Sequence, residues 1–167
     1  MTSLKFLTHG VDAVVNAQLV ATKLPQLESL VWDSEDITDE IVETIVKGCN
    51  KLRNLHLPFA TEITDAGVVA ISQNLKGLEQ ITVDTIKVGG FKALKENCSS
   101  LYELNVVECT ELTEGDVADL KVKLPKLESI CVAGEISEEI LKTLSELVPE
   151  IQLHFGSIGD SDEEDEE

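Results

Sequence analysis

A helix-like stretch followed at a fixed interval by the pattern L-x-x-L-x-L recurs along this chain, and that recurrence limits the folds open to it. The clearest copy is Ile37–Leu57. Thr38 and Asp39 are helix-capping types, and Ile41, Val42, Ile45 and Val46 return at about one helical turn. Leu52, Leu55 and Leu57 then fit a short strand with one buried face. The layout returns at Ile63–Val83, Ile86–Val106 and Leu112–Val132. Segments beginning at Ile37, Ile63, Ile86, Leu112 and Ile136 each reach the next strand 15 positions later, at Leu52, Leu78, Leu101, Leu127 and Ile151. The return from strand to helix varies: 10 positions from Leu27 to Ile37, 8 from Leu78 to Ile86, 11 from Leu101 to Leu112. Stacked units need the constant half, because each helix must land its strand beside the previous one. The turn faces water and tolerates length changes, so the pattern predicts an α/β solenoid.

Three regions follow. Residues 1–24 are the least regular and read as an N-terminal cap or degenerate first repeat. Leu4-x-x-Leu7 is its strand, and Val11–Lys23 its helix with Val14, Val15, Leu19 and Val20 as the apolar set, ended by Pro25. Residues 25–155 hold the repeats. Trp32, in the place of Leu57 and Val83, is expected in the core. Gly89-Gly90 at the start of the fourth repeat helix predicts a brief or irregular helix, at roughly 1 kcal/mol per glycine. One helix is expected from Leu112 to Lys123, a last one over Ile136–Leu147, and an irregular closing strand over Ile151–Phe155. Residues 156–167 carry almost nothing apolar and are expected to be disordered.

Apolar residues make up 43% of the chain but aromatics only 4%, so the core must be built of Leu, Ile and Val. No apolar run approaches the ~20 residues that span a bilayer. The start, MTSLKFLTHGVDAVV, has no basic stretch leading into an apolar run, so no secretory signal is expected. The formal charge is −19. The end, DSDEEDEE, holds seven of the 32 acids, which leaves 25 acids against 13 bases and a charge of −12 on the rest. Such a field repels nucleic acid and anionic lipid and favours basic protein partners; it also keeps a monomer soluble.

Cys49 and Cys98 each stand three residues before a strand leucine, where Leu24 and Leu124 stand in other units. A position shared by Cys and Leu reads as small, apolar and buried. With Cys109 and Cys131 they form no Cys-x-x-Cys pair, and His9, His56 and His154 are scattered, so no metal site is expected. Reduced thiols fit the cytosol or nucleus. Gly89-Gly90 is not followed by the lysine and hydroxyl of a phosphate loop, and no serine or cysteine has a histidine placed by a recognisable motif. The expectation is a protein that is not an enzyme and needs no cofactor.

These units resemble leucine-rich repeats of the cysteine-containing subtype, which combine L-x-x-L-x-L-x-x-C with an I-T-D-x-G helix start and a later cysteine. Leu101–Cys109 matches the strand and turn, Ile63–Gly67 the helix start, and Cys49 and Cys98 the later cysteine. The turn position holds Glu35, Ala60 and Ile86 in the other units, which departs from the subtype. The resemblance covers about Pro25 to Phe155. It implies a right-handed horseshoe with a parallel sheet on its concave face and helices outside. It also implies a scaffold for binding proteins, as in the F-box receptors of ubiquitin ligases. The residues before Pro25 are too few for an F-box.

On such an array the residues between the leucines face outward on the sheet. The partner-binding set expected there is Glu28, Val31, Asp33, Arg53, His56, Glu79, Asp84, Tyr102, Glu103, Asn105 and Glu128. Tyr and Arg are common anchors, and the acids call for a basic partner. Two other readings stand beside this one. The chain resembles acidic leucine-rich nuclear phosphoproteins in having repeats before an acidic tail, which implies a chaperone or regulator of histone-like or phosphatase partners. An adaptor in a ubiquitin-ligase-type complex is the other. Ser161, followed by Asp162, Glu163 and Glu164, has the pattern of a site for an acid-directed kinase.

Overall fold

The computed structural model describes residues 2–7, 12–84, 86–107, 112–133, 136–148 and 150–154. Among these, the strands are β1 (Ser3–Leu7), β2 (Ser29–Asp33), β3 (Asn54–Leu57), β4 (Gln80–Val83), β5 (Glu103–Val107), β6 (Ser129–Ala133) and β7 (Glu150–His154). The helices are α1 (Ala13–Lys23), α2 (Asp39–Gly48), α3 (Asp65–Asn74), α4 (Val88–Asn97), α5 (Glu114–Val117), α6 (Leu120–Lys123) and α7 (Glu138–Leu147). The strands form one parallel sheet in chain order, β1 to β7. The fold is therefore α/β, with helical segments carrying the chain from each strand to the next.

The register follows the sequence period. One row of paired residues runs Ser3, Ser29, Asn54, Gln80, Glu103, Ser129, Glu150. Its steps are 26, 25, 26, 23, 26 and 21 residues, from those numbers. The 23 reflects the short turn between Leu78 and Ile86. The 21 corrects the expected spacing of the last strand. Ile151 pairs with Ile130, not with the Leu127 position. Val148, buried at the end of α7, stands 21 residues after Leu127. The closing unit thus reads Val148-x-x-Ile151-x-Leu153, and its strand joins in five regular pairs.

Leu30, Trp32, Leu55, Leu57, Ile81, Val83 and Leu104 point from the strands into one core with Ile41, Ile45, Val68, Ile71, Phe91 and Leu94 from the helices. Each such side chain contributes roughly 1.5–3 kcal/mol as an upper figure. Neighbouring helices α1 to α4 pack in sequence. Trp32 is fully buried, as its repeat position predicts. Cys49 and Cys98 are also buried. The Cys49 thiol lies 3.3 Å from the Leu24 carbonyl and that of Cys98 lies 3.8 Å from Leu75, each reaching the preceding unit.

Three further expectations need correction. α1 buries Ala13, Ala17 and Val20, whereas Val14, Val15 and Leu19 are exposed. The small residues face the core because α2 lies close against them. α4 is a full ten-residue helix despite Gly89-Gly90. Its backbone donates Gly90 N–H to the Asp65 carboxylate at 2.9 Å, and a Cβ on Gly89 would sit 2.4 Å from that carboxylate. The glycines make room for a cap from the previous unit. Irregularity falls instead on the next helix, which breaks at Ala118-Asp119 into α5 and α6. There the buried Lys95 ammonium takes the Asp116 carbonyl at 2.9 Å and the Asp119 carboxylate at 2.5 Å. Cys109, the acidic tail and Ser161 lie outside the described residues.

Candidate functional site

Strand residues alternate, so those between the core leucines share the opposite face of the sheet. The register arranges them in rows. At the strand entrances, backbone N–H groups of Arg53, Glu79, Tyr102 and Glu128 each donate to the carbonyl of the preceding member, beginning at Glu28. This first row is therefore Glu28, Arg53, Glu79, Tyr102, Glu128. The second is Ser29, Asn54, Gln80, Glu103, Ser129, and the third Val31, His56, Thr82, Asn105, Cys131. At the strand exits stand Asp33 and Asp84.

Of the eleven expected partner-binding residues, Val31, His56, Glu103 and Asn105 are strand residues of this face, Asp33 and Asp84 stand at its exits, and Glu28, Arg53, Glu79, Tyr102 and Glu128 stand just before the strands, in the entrance row. Arg53 and Glu128 are exposed, and the other nine are partly buried. Ser29 and Cys131, on the same face, are nearly closed off from solvent.

Side chains tie the rows together. Arg53 pairs with Glu79 along the entrance row. Gln80 donates to Glu103 at 2.5 Å. Asn105 donates to the Thr82 hydroxyl at 3.1 Å and to Glu103 at 3.5 Å, and Thr82 in turn lies 2.9 Å from His56 Nδ1. This network fixes rotamers before anything binds, which lowers the ordering cost of association. Asn54 Oδ1 is buried and has no hydrogen-bond partner among the described residues.

Electrostatics on the face are one-sided. Burial lowers the pKa of His56, with the Glu103 charge opposing the shift, so the ring is neutral near pH 7. Tyr102 is raised by burial and then by the charges of Glu103, Glu79 and Glu128. Three carboxylates therefore act on one phenol, and among the described residues Glu79 is the one of them with a cationic partner, Arg53. What this arrangement can do is receive positive charge beside an aromatic ring. Among the described residues, no group of three or more His, Cys, Asp or Glu is arranged to hold a metal ion.

On the helical side, a shallow groove of about 360 Å³ lies between α2 and α3, bordered by Asp39, Glu40, Glu43, Ala66 and Gln73. Among the described residues, no helix is long and apolar enough to cross a membrane. No protein-family model matches the chain.

Sequence reasoning missed Phe59 as a surface feature. It sits in the turn after β3, is 56% exposed, and has φ 66°. Pro58-Phe59 marks the end of a strand in the sequence, but a left-handed phenylalanine carries no local signature. It also missed Lys95, whose burial follows only from the neighbouring unit.

Proposed function

We propose that the chain is a leucine-rich-repeat solenoid of the cysteine-containing subtype, acting as a non-enzymatic interaction module. Its sheet face, concave in such an array, docks a basic segment of a partner protein. The serial parallel sheet, the 21- to 26-residue period and the repeat motifs support the architecture. Buried reduced thiols favour the cytosol or nucleus.

The observation that carries the binding reading is the position of Tyr102, set between Glu79 and Glu128 in the entrance row and next to Glu103 in the chain. A lysine or arginine side chain placed over the ring meets both its quadrupole and those charges. The Glu103–Gln80–Asn105–Thr82 network holds the middle of this surface in one arrangement.

The test is titration of the full chain with lysine and arginine octapeptides, measured calorimetrically at low and high salt. Glu79→Gln, Glu103→Gln and Glu128→Gln combined should weaken both peptides about tenfold or more while the fold is retained. Removing residues 156–167 should leave most of the affinity. If truncation abolishes binding and the glutamine variant does not, the tail carries the interaction and the sheet-face reading fails.

A further inference from the structure

Phe59 combines two properties that folding alone does not favour. A phenylalanine ring is left 56% exposed at the end of β3. Its backbone is also held at φ 66°, where a side chain with a Cβ is strained by roughly 1–2 kcal/mol. Glycine at that position would relieve the strain and hide no less of the core, since the adjacent Ala60 and Ile63 are the buried residues of the turn. The conformation is fixed from two sides: Phe59 N–H donates to the Asp84 carboxylate after β4 at 2.8 Å, and within the turn Thr61 N–H closes on the Phe59 carbonyl at 2.9 Å.

The surroundings select what the ring meets. Continuing the β2–β3 register from Val31–His56 places Asp33 beside Pro58. Asp84 lies on the other side, and exposed Glu35, Asp36 and Glu62 occupy the turns of the same rim. An apolar partner would have to strip water from these acids. A planar, weakly hydrated cation is matched by both ring and carboxylates, and guanidinium fits that description better than ammonium.

We propose that Phe59 is a second anchor of the binding surface, stacking on an arginine of the partner's basic segment. The inference rests on the sheet-face reading for the partner's charge. Phe59 stands in the turn beyond the exit of β3 and Tyr102 at the entrance of β5, two strands across, so strand rise and strand spacing put their backbones roughly 15–20 Å apart. An extended octapeptide reaches about 27 Å and can touch both.

The probes are the arginine and lysine octapeptides at equal concentration and salt, titrated into the full chain. The wild type should prefer arginine about threefold or more. Phe59→Ala and Phe59→Gly should both lower that preference, leaving only the part due to Tyr102, while Phe59→Tyr keeps it. Phe59→Gly should also raise the thermal midpoint, which shows that affinity is lost without unfolding. Equal preference in the wild type and Phe59→Ala overturns the anchor. If those two chains bind alike while the triple glutamine variant loses both peptides, the sheet-face reading survives and only the anchor fails. If neither peptide binds the wild type, both fail.

Discussion

The Asp39 carboxylate accepts the backbone N–H of Gly67 at 3.0 Å, joining the first turn of α2 to the first turn of α3. The same carboxylate takes the Thr64 N–H at 2.8 Å and its hydroxyl at 2.6 Å. One acid therefore takes three donors at the next helix start, two of them backbone N–H groups that no intrahelical carbonyl can reach. Asp65 repeats the arrangement with Gly90 in α4. The series stops where Val88 replaces the acid; Thr113 is then capped by Asp116 of its own helix.

Removing that carboxylate should therefore loosen two units at once. Asp39→Ala is expected to cost about 2 kcal/mol, read from urea midpoints. Gly67→Ala should cost a similar amount, because its Cβ would lie 2.3 Å from Asp39 Oδ1. The double variant should be less destabilised than the sum, since without the carboxylate the alanine gains helix propensity. Strict additivity would refute the steric coupling.

Lys95 offers a second test. Its side chain is only 7% exposed, and its ammonium bridges the Asp116 carbonyl and Asp119 across the break between α5 and α6. Lys95→Met keeps much of the packing but leaves that carbonyl without its donor. A loss of about 2 kcal/mol is expected in chemical denaturation. A variant as stable as the wild type would show that the bridge is energetically neutral.

Acid stability should depend on Asp116. Lys92, and then Thr113 through its hydroxyl and backbone N–H, hold its carboxyl down at about 2 against the opposing effect of burial. The unfolded value is near 4, so the unfolded chain binds the proton first. The contribution is whole above about pH 4 and is lost as pH falls toward 2. Its size is about 1 kcal/mol after allowing for the exposed Lys92 partner. Asp116→Asn should flatten this part of the stability–pH curve; an unchanged slope would assign it to other acids.

The buried thiols Cys49 and Cys98 should be inert in the native chain. Burial pushes Cys98 up to about 11, with Lys76 opposing, and raises Cys49 as well. Iodoacetamide at pH 8 should label both only as fast as the fold opens, and adding urea should accelerate labelling in step with loss of stability. Rapid labelling of either thiol under native conditions would contradict its burial.

Element order, strand positions and the inward leucines were legible because burial on one strand face leaves a period in the sequence. The closing strand was misplaced by the uniform 15-residue spacing; its reading as Val148-x-x-Ile151-x-Leu153 comes only from the pairing of Ile151 with Ile130. The exposed face of α1 was not. Apolar type alone cannot tell Val15 and Leu19, which meet water, from Val20, which meets α2 and the core. Alternation accounts for strand residues such as Val31, His56, Glu103 and Asn105, but not for the entrance row Glu28, Arg53, Glu79, Tyr102 and Glu128, nor for the pairing. Gln80 with Glu103, and His56 with Thr82 and Asn105, depend on residues more than twenty positions apart.

The amino-acid order by itself determined the unit: one helical stripe, one strand and which strand face is buried, because each is set by contacts within about twenty residues. Only the tertiary structure decided what happens between units. Asp65 turning two helix-weakening glycines into a capped helix start, Lys95 splitting its neighbour, and Asp84 holding Phe59 out toward solvent all arise across the stack. There, bond lengths and close approach, rather than residue type, choose the outcome.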